Sequence, residues 1–213
     1  MPTLRFPSWL LALIAAMVGY GCALVGGRST PGPADAAPDS FLVALETSRG
    51  RLTIAIHRPW APRGVDRLYY LLRHRFYDDA RFFRVIPGFV AQFGLPAEPS
   101  LSERFVPGPI PDDSVRHSNV RGTLVFAHAG PGTRQSQLFI NLQDNPQLDA
   151  GFAPLGEIVD GMELIDLLNG EYDDEAGPSQ DSIRVVGNTY LAREYPRLDF
   201  IRHARIVREW RGP

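Results

Sequence analysis

Short apolar runs, each broken after a few residues by glycine, proline or a polar pair, recur from Phe41 to Trp210, and this rhythm limits the fold more than any other feature. Residues 41–47 and 52–56 flank Ser48-Arg49-Gly50, a hairpin signal. Residues 81–86 and 89–92 flank a Pro87-Gly88 turn, and residues 122–127 and 137–141 flank Gly130-Pro131-Gly132. Further strands are expected over residues 153–159 and 204–210. One helical stretch opens at Pro62, where Val65, Leu68, Tyr69 and Leu72 fall at i, i+3, i+4 and i+7 and form one apolar stripe. A shorter helix carries Met162, Ile165 and Leu168, and residues 94–122, rich in Pro, Gly, Ser and Asp, read as a long loop. Many short strands with few helices predict a closed barrel or a sandwich, because closure removes exposed strand edges.

Charge and residue usage exclude several chemistries. The 22 basic residues are all arginine and face 24 acidic ones, so the net charge of −2 lacks the basic excess of a dedicated nucleic-acid binder. Without lysine there is no phosphate-loop lysine, Schiff-base lysine or Ser–Lys pair. A single cysteine, Cys22, makes neither an internal disulfide nor a CxxC metal site. His57, His74, His117, His128 and His203 never fall at i, i+3 or i+4, so no histidine metal site has local support. Asp78-Asp79, Asp112-Asp113 and Asp173-Asp174-Glu175 lie in loop-like contexts and read as solvated. Residues 130–133 lack the phosphate-binding glycine patterns, and Ser136 lacks the glycines of a nucleophile elbow. Neither cofactor nor metal is expected.

The N-terminus reads as an address. Residues 1–25 combine Arg5, an apolar core over residues 9–18 and a small-residue exit at Gly19-Tyr20-Gly21-Cys22, the layout of an export signal. Gly21-Cys22-Ala23 resembles the cleavage box of a bacterial lipoprotein, in which Cys22 would be lipidated; Gly19 stands where leucine is usual. An uncleaved anchor and ordinary secretion with a free thiol are the alternatives. Residues 26–40, with many Pro, Gly and Ala, fit a flexible tether, leaving residues 41–213 as one folded domain. An exported protein of the periplasm or cell envelope, held at a membrane through Cys22, is the expectation.

Arg84 alternates with apolar neighbours and could share a groove with Phe89 and Gln92; taken alone, an ion pair is the plainer reading of one arginine among 22. The run from Phe76 to Gln92 resembles the signature strand pair of cyclophilins. Residues 122–141 and 148–162 resemble two further blocks of that family, in its order and spacing. Residues 187–191 and 195–199 look like an extra segment before the last strand of a bacterial-type variant.

The resemblance implies a mainly β fold, a closed eight-stranded antiparallel barrel capped by two α-helices, with the groove on its outside. It implies peptidyl-prolyl cis/trans isomerase activity on proline-containing polypeptides; a monomer without a nucleic-acid partner is expected. By position, Arg84 matches the catalytic arginine, with Phe89 and Gln92 beside it. Phe89, Val90 and Phe139 match the proline-pocket wall, Leu148 its floor, and Ala127, His128, Ala129 and Gln137 the groove flank. Phe152 stands where histidine is frequent, His128 where asparagine is frequent, and Phe93-Gly94-Leu95 replaces the usual Gly-Gly-Asp. Gln147 occupies the place where many eukaryotic members carry a cyclosporin-contacting tryptophan, so weak inhibition by that drug is expected. A catalytically weak peptide-binding or chaperone module of the same shape is the alternative.

Overall fold

A computed structural model describes residues 36–172 and 176–212. The chain enters β1 (Ser40–Thr47) and turns back through Ser48-Arg49 into β2 (Gly50–His57), with Thr47 opposite Gly50. Inward side chains alternate along both strands: Phe41, Val43 and Leu45 on β1, Leu52, Ile54 and Ile56 on β2, all nearly inaccessible. Pro62 opens α1 (Pro62–Arg73), where its missing N–H removes no helical bond. The stripe of Val65, Leu68, Tyr69 and Leu72 is buried against the sheet core as its spacing predicts.

Six further strands follow: β3 (Arg84–Ile86), β4 (Val90–Phe93), β5 (Thr123–Phe126), β6 (Leu138–Asn141), β7 (Pro154–Asp160) and β8 (Ile201–Trp210). Together with β1 and β2 they form one antiparallel sheet in the order β3-β4-β6-β5-β7-β2-β1-β8. The sheet curls until its two edges meet, but no ladder joins β3 to β8. The segments just before these strands touch instead, through an isolated bridge between Arg81 and Phe200, with Phe82 N–H donating to Asp199 O and Ile201 N–H to Ala80 O (both 2.9 Å). The eight antiparallel strands agree with the sequence expectation; the full closure expected of the barrel is not seen, since the edge strands β3 and β8 form no ladder and only the segments before them are stitched together.

Asp199 secures that seam. Its carboxylate is 5% exposed, accepts from Ser48 Oγ and Asn169 N–H (2.6 Å each) and pairs with Arg49 Nε at 2.7 Å. Two acidic pairs also prove to be structural and not simply solvated. Asp78 grips both terminal nitrogens of Arg205, at 2.6 and 2.7 Å. Asp113 accepts from Gly64 N–H, Arg63 N–H and Arg134 Nη2. The third acidic run, residues 173–175, lies outside the described residues.

The helices depart from the expected two. The long loop contains α2 (Pro99–Phe105), and the extra segment before the last strand is a pair of short helices, α3 (Gln180–Val186) and α4 (Asn188–Glu194). Each spans about two turns, too short for an apolar stripe to repeat. Ile183 and Leu191 nevertheless anchor the pair on Phe83, Leu95 and Leu198, a small cluster apart from the main core. The helix expected at Met162 is a 3-10 turn (Met162–Leu167). Residues 1–25, Cys22 and most of the tether lie outside the described residues; Ala37 and Pro38, at the end of the stretch read as tether, are buried on the body, with Ala37 N–H donating to Asp66.

Candidate active site

Period-two alternation across β4, β5 and β6 separates core from site. Ala91, Phe93, Leu124, Phe126, Leu138 and Ile140 face inward to the main core, whereas Val90, Val125 and Phe139 form a separate apolar cluster on the opposite face. Registers then align the outward residues: Arg84 pairs with Gln92, Gln92 with Phe139, and Phe139 with Val125. One transverse row of four strands therefore runs from a cation through an amide to an aromatic and an aliphatic wall. The Pro87-Gly88 turn makes this register possible, since Gly88 sits at φ 70°, which a side chain would strain.

Phe89, Ala127, Leu148 and Phe152 pack around that outer cluster and make with it an apolar patch, the notch of the outer face, in the same register row as Gln92 and Arg84. The Phe152 ring meets Phe139 edge-on at 5.8 Å and stacks on His128 at 4.1 Å. His128 Nδ1 accepts from Gly130 N–H, so the proton sits on Nε2 and donates to Gly151 O at 3.1 Å. The ring is thereby held as a flat lid over Phe152.

Under the notch lies a buried amide network. Asn145 Nδ2 donates to Phe89 O and Asn141 Oδ1, and Asn141 Nδ2 to Asn119 Oδ1 and Thr123 Oγ1. Asn119 Nδ2 reaches Phe152 O and Asp149 Oδ1 (2.8 Å each). All three asparagines are fully buried, so every bond is made in a poorly solvated setting where leaving it unmade is costly. Asp149 also accepts from Asn119 N–H and Ser118 Oγ. Burial pushes its carboxyl upward, but those donors outweigh it and hold Asp149 below the usual carboxylate range.

On the polar side, Arg84 Nη1 donates to Gln92 Oε1 at 3.3 Å, and Gln92 Nε2 to Gln137 Oε1 at 2.8 Å. Gln137 borders a cleft of about 420 Å³ that continues past Ala127, His128 and Ala129 towards α2 and α3. The positions expected on sequence grounds, Arg84, Phe89, Val90, Gln92, Ala127, His128, Ala129, Gln137, Phe139, Leu148 and Phe152, are thus brought to one continuous outer face; Cys22 lies outside the described residues. Sequence reasoning missed Val125, which the alternation on β5 could have supplied, and the Asn119–Asn141–Asn145 network and Gln180, which no local pattern marks. Among the described residues, no three His, Cys, Asp or Glu side chains gather as a metal site requires.

An extended peptide laid along this face would set an apolar ring in the notch and its backbone against Arg84 and Gln92. Comparison with known proteins identifies the family. The profile of the family described as cyclophilin type peptidyl-prolyl cis-trans isomerase/CLD matches residues 42–189. Peptidyl-prolyl cis-trans isomerase ppi1 of Schizosaccharomyces pombe is 35% identical over 125 residues, 57% of this chain and 81% of that protein. Peptidyl-prolyl cis-trans isomerase A of Dickeya dadantii is 34% identical over 158 residues, 70% and 82% of the two chains. The crystal structure of a cyclophilin type peptidyl-prolyl cis-trans isomerase from Cryptosporidium parvum superposes with a TM-score of 0.58 at 21% identity, covering 82% of this chain and 99% of that one, and speaks for the fold.

Proposed function

Because the chain belongs to the cyclophilin-type peptidyl-prolyl cis-trans isomerase family, we propose that its isomerase activity is carried by Arg84 acting on Xaa-Pro bonds seated in the Phe89–Val90–Phe139–Leu148 notch. The observation that carries this reading is the register row that places Arg84, Gln92 and Phe139 side by side on the outer face.

The chemistry asks little of the protein beyond position. Rotation about an amide costs about 18–20 kcal/mol because nitrogen conjugates with the carbonyl. Xaa-Pro bonds populate both isomers and exchange over roughly tens to hundreds of seconds unaided. At the twisted midpoint nitrogen regains its lone pair and can accept a hydrogen bond that the planar ground state refuses. A guanidinium held beside the notch supplies that bond at the midpoint alone, which is differential stabilisation of the transition state. Arginine suits the task since it stays charged and donates from several N–H groups. Phe89, Val90, Phe139, Leu148 and Phe152 would hold the pyrrolidine ring while the preceding carbonyl swings, and their apolar surface strengthens the Arg84 contact by excluding water. Gln92 orients Arg84 and offers its own amide to the peptide backbone, with Ala127, His128, Ala129 and Gln137 flanking the residues before proline.

Arg84→Ala should lower kcat/KM in a protease-coupled assay on a Xaa-Pro peptide by about 10²–10³, the cost of removing one transition-state donor. Unchanged turnover would refute the assignment.

The enzyme works, on this reading, as a monomer on proteins folding at the cell envelope, held there through Cys22. The charged start, apolar core and Gly21-Cys22-Ala23 box support this placement. Intact mass of protein extracted from its own membrane tests it: a diacylglyceryl or triacyl adduct on a chain beginning at Cys22 is expected, and a full-length unmodified chain would overturn it.

A further inference from the structure

The polar contacts that start at Arg84 do not stop at Gln137. Gln137 Nε2 donates to Gln180 Oε1 at 3.2 Å, and Gln180 is the first residue of α3, in the extra helical pair. The same oxygen accepts from Arg184 Nη2 at 3.3 Å, while Arg184 Nη1 is held by Asp181 at 2.8 Å. Three amides thus lie in series between two arginines.

Their polarity is not free. Arginine only donates, so Gln92 must turn its oxygen to Arg84 and its NH2 to Gln137. Gln137 must then accept from Gln92 and donate to Gln180, whose oxygen closes the series. Arg184, also a donor only, holds that last oxygen in place from the far end. Reversing any one amide sets N–H against N–H or oxygen against oxygen at its neighbours. Gln92 is 9% exposed, so water has little room to repair a mismatch at its end of the series, whereas Gln137 and Gln180 are half-buried at the cleft.

We propose that Gln180 is a positioning residue for isomerisation: as terminal acceptor of the Gln92–Gln137–Gln180 series it fixes which face Gln92 shows to Arg84, and it couples the α3–α4 pair to the reacting arginine. The proposal rests on Arg84 being the catalytic group. The packing of Ile183 and Leu191 on Phe83, the residue before Arg84, ties the same helical pair to the same strand by a second route.

Polarity, not volume, is what the test must vary. In the full chain, Gln180→Glu keeps an acceptor facing Gln137, Gln180→Ala removes it, and Gln180→Lys replaces it with a group that only donates. Lysine would force the Gln137 amide round and leave Gln92 offering NH2 to Arg84. Expected is a fall in kcat of roughly five- to tenfold for Gln180→Lys at near-constant KM, the size of one hydrogen bond's net worth. Gln180→Ala should fall less, and Gln180→Glu should retain at least about half of the parental kcat by the same reasoning. Thermal midpoints should stay together, and the Gln92 side-chain amide resonances should move in the lysine variant but not in the glutamate one. A lysine variant with parental kcat, or a glutamate variant that falls as far as lysine, overturns the proposal. An inactive parent chain would instead overturn the function on which it rests.

Discussion

Asp149→Ala is expected to loosen the floor of the notch. The carboxylate accepts from Ser118 Oγ (2.5 Å), Asn119 N–H (2.7 Å) and Asn119 Nδ2 (2.8 Å), and Asn119 is fully buried. Removing the acceptor leaves the Asn119 N–H without its partner, while Nδ2 keeps its bond to Phe152 O. One orphaned buried donor and two weakened contacts amount to about 2–4 kcal/mol. At roughly 2–4 °C per kcal/mol for a chain of this size, the thermal midpoint should drop by about 4–16 °C. KM should rise as well, because Asp149 lies between Leu148 and Phe152 in sequence and ties their turn to the body. Asp149→Asn should cost about 1 kcal/mol or less, since its oxygen still accepts from Asn119 and Ser118 can turn its hydroxyl to accept from the new NH2. The sign with pH follows from the depressed carboxyl of Asp149. The folded state favours the charged form, so this contribution is fully present above the ordinary carboxylate pKa near 4 and is lost as pH falls through the lower folded value. The gap between parent and Asp149→Ala should therefore stay constant from about pH 5 to 8 and close only below about pH 4. Calorimetric melts across that range, paired with peptide-assay KM values at neutral pH, measure both effects. A midpoint within about 2 °C of the parent at pH 7, or a gap that shrinks between pH 8 and 5, would refute the reasoning.

Two further outcomes follow from the geometry. Asp199→Ala removes the buried carboxylate that holds Ser48, Asn169 and Arg49 at the seam, and urea unfolding should show a loss of about 3 kcal/mol; a loss below about 1 kcal/mol would mean the seam is held by its backbone bonds alone. Phe152→Ala takes away one wall of the notch and the platform for His128, and should raise KM roughly three- to tenfold with kcat little changed. An equal fall in kcat would place Phe152 in the transition-state contacts instead.

The parts of this molecule that could be read in advance share a physical origin. Val90, Gln92 and Phe139 sit on strands whose inward and outward residues alternate, so a contiguous stretch of sequence already separates core from site. The α1 stripe was visible for the same reason at the helical period. Gln180 left no such trace, because it meets Gln137 across 43 residues of chain, and its helix is too short to repeat any pattern. Asp113 misled in another way. Its loop context suggests solvent, but Arg134, 21 residues later and 3% exposed, comes back to pair with it. Ion pairs of that kind are settled by topology, which local composition does not encode. The seam at Asp199 belongs to the same class, since its partner Ser48 lies 151 residues away.

That the reactive face is built from alternate residues of pleated strands has a consequence for quality control. Sliding β4 by one position would carry Gln92 into the interior and bring Phe93 out into water, so misaligned molecules lose both their ability to act and their hydrophobic interior in one step. Few partly assembled forms could retain turnover. For a peptidyl-prolyl isomerase built this way, catalysis then doubles as a certificate that its own strands have found their partners.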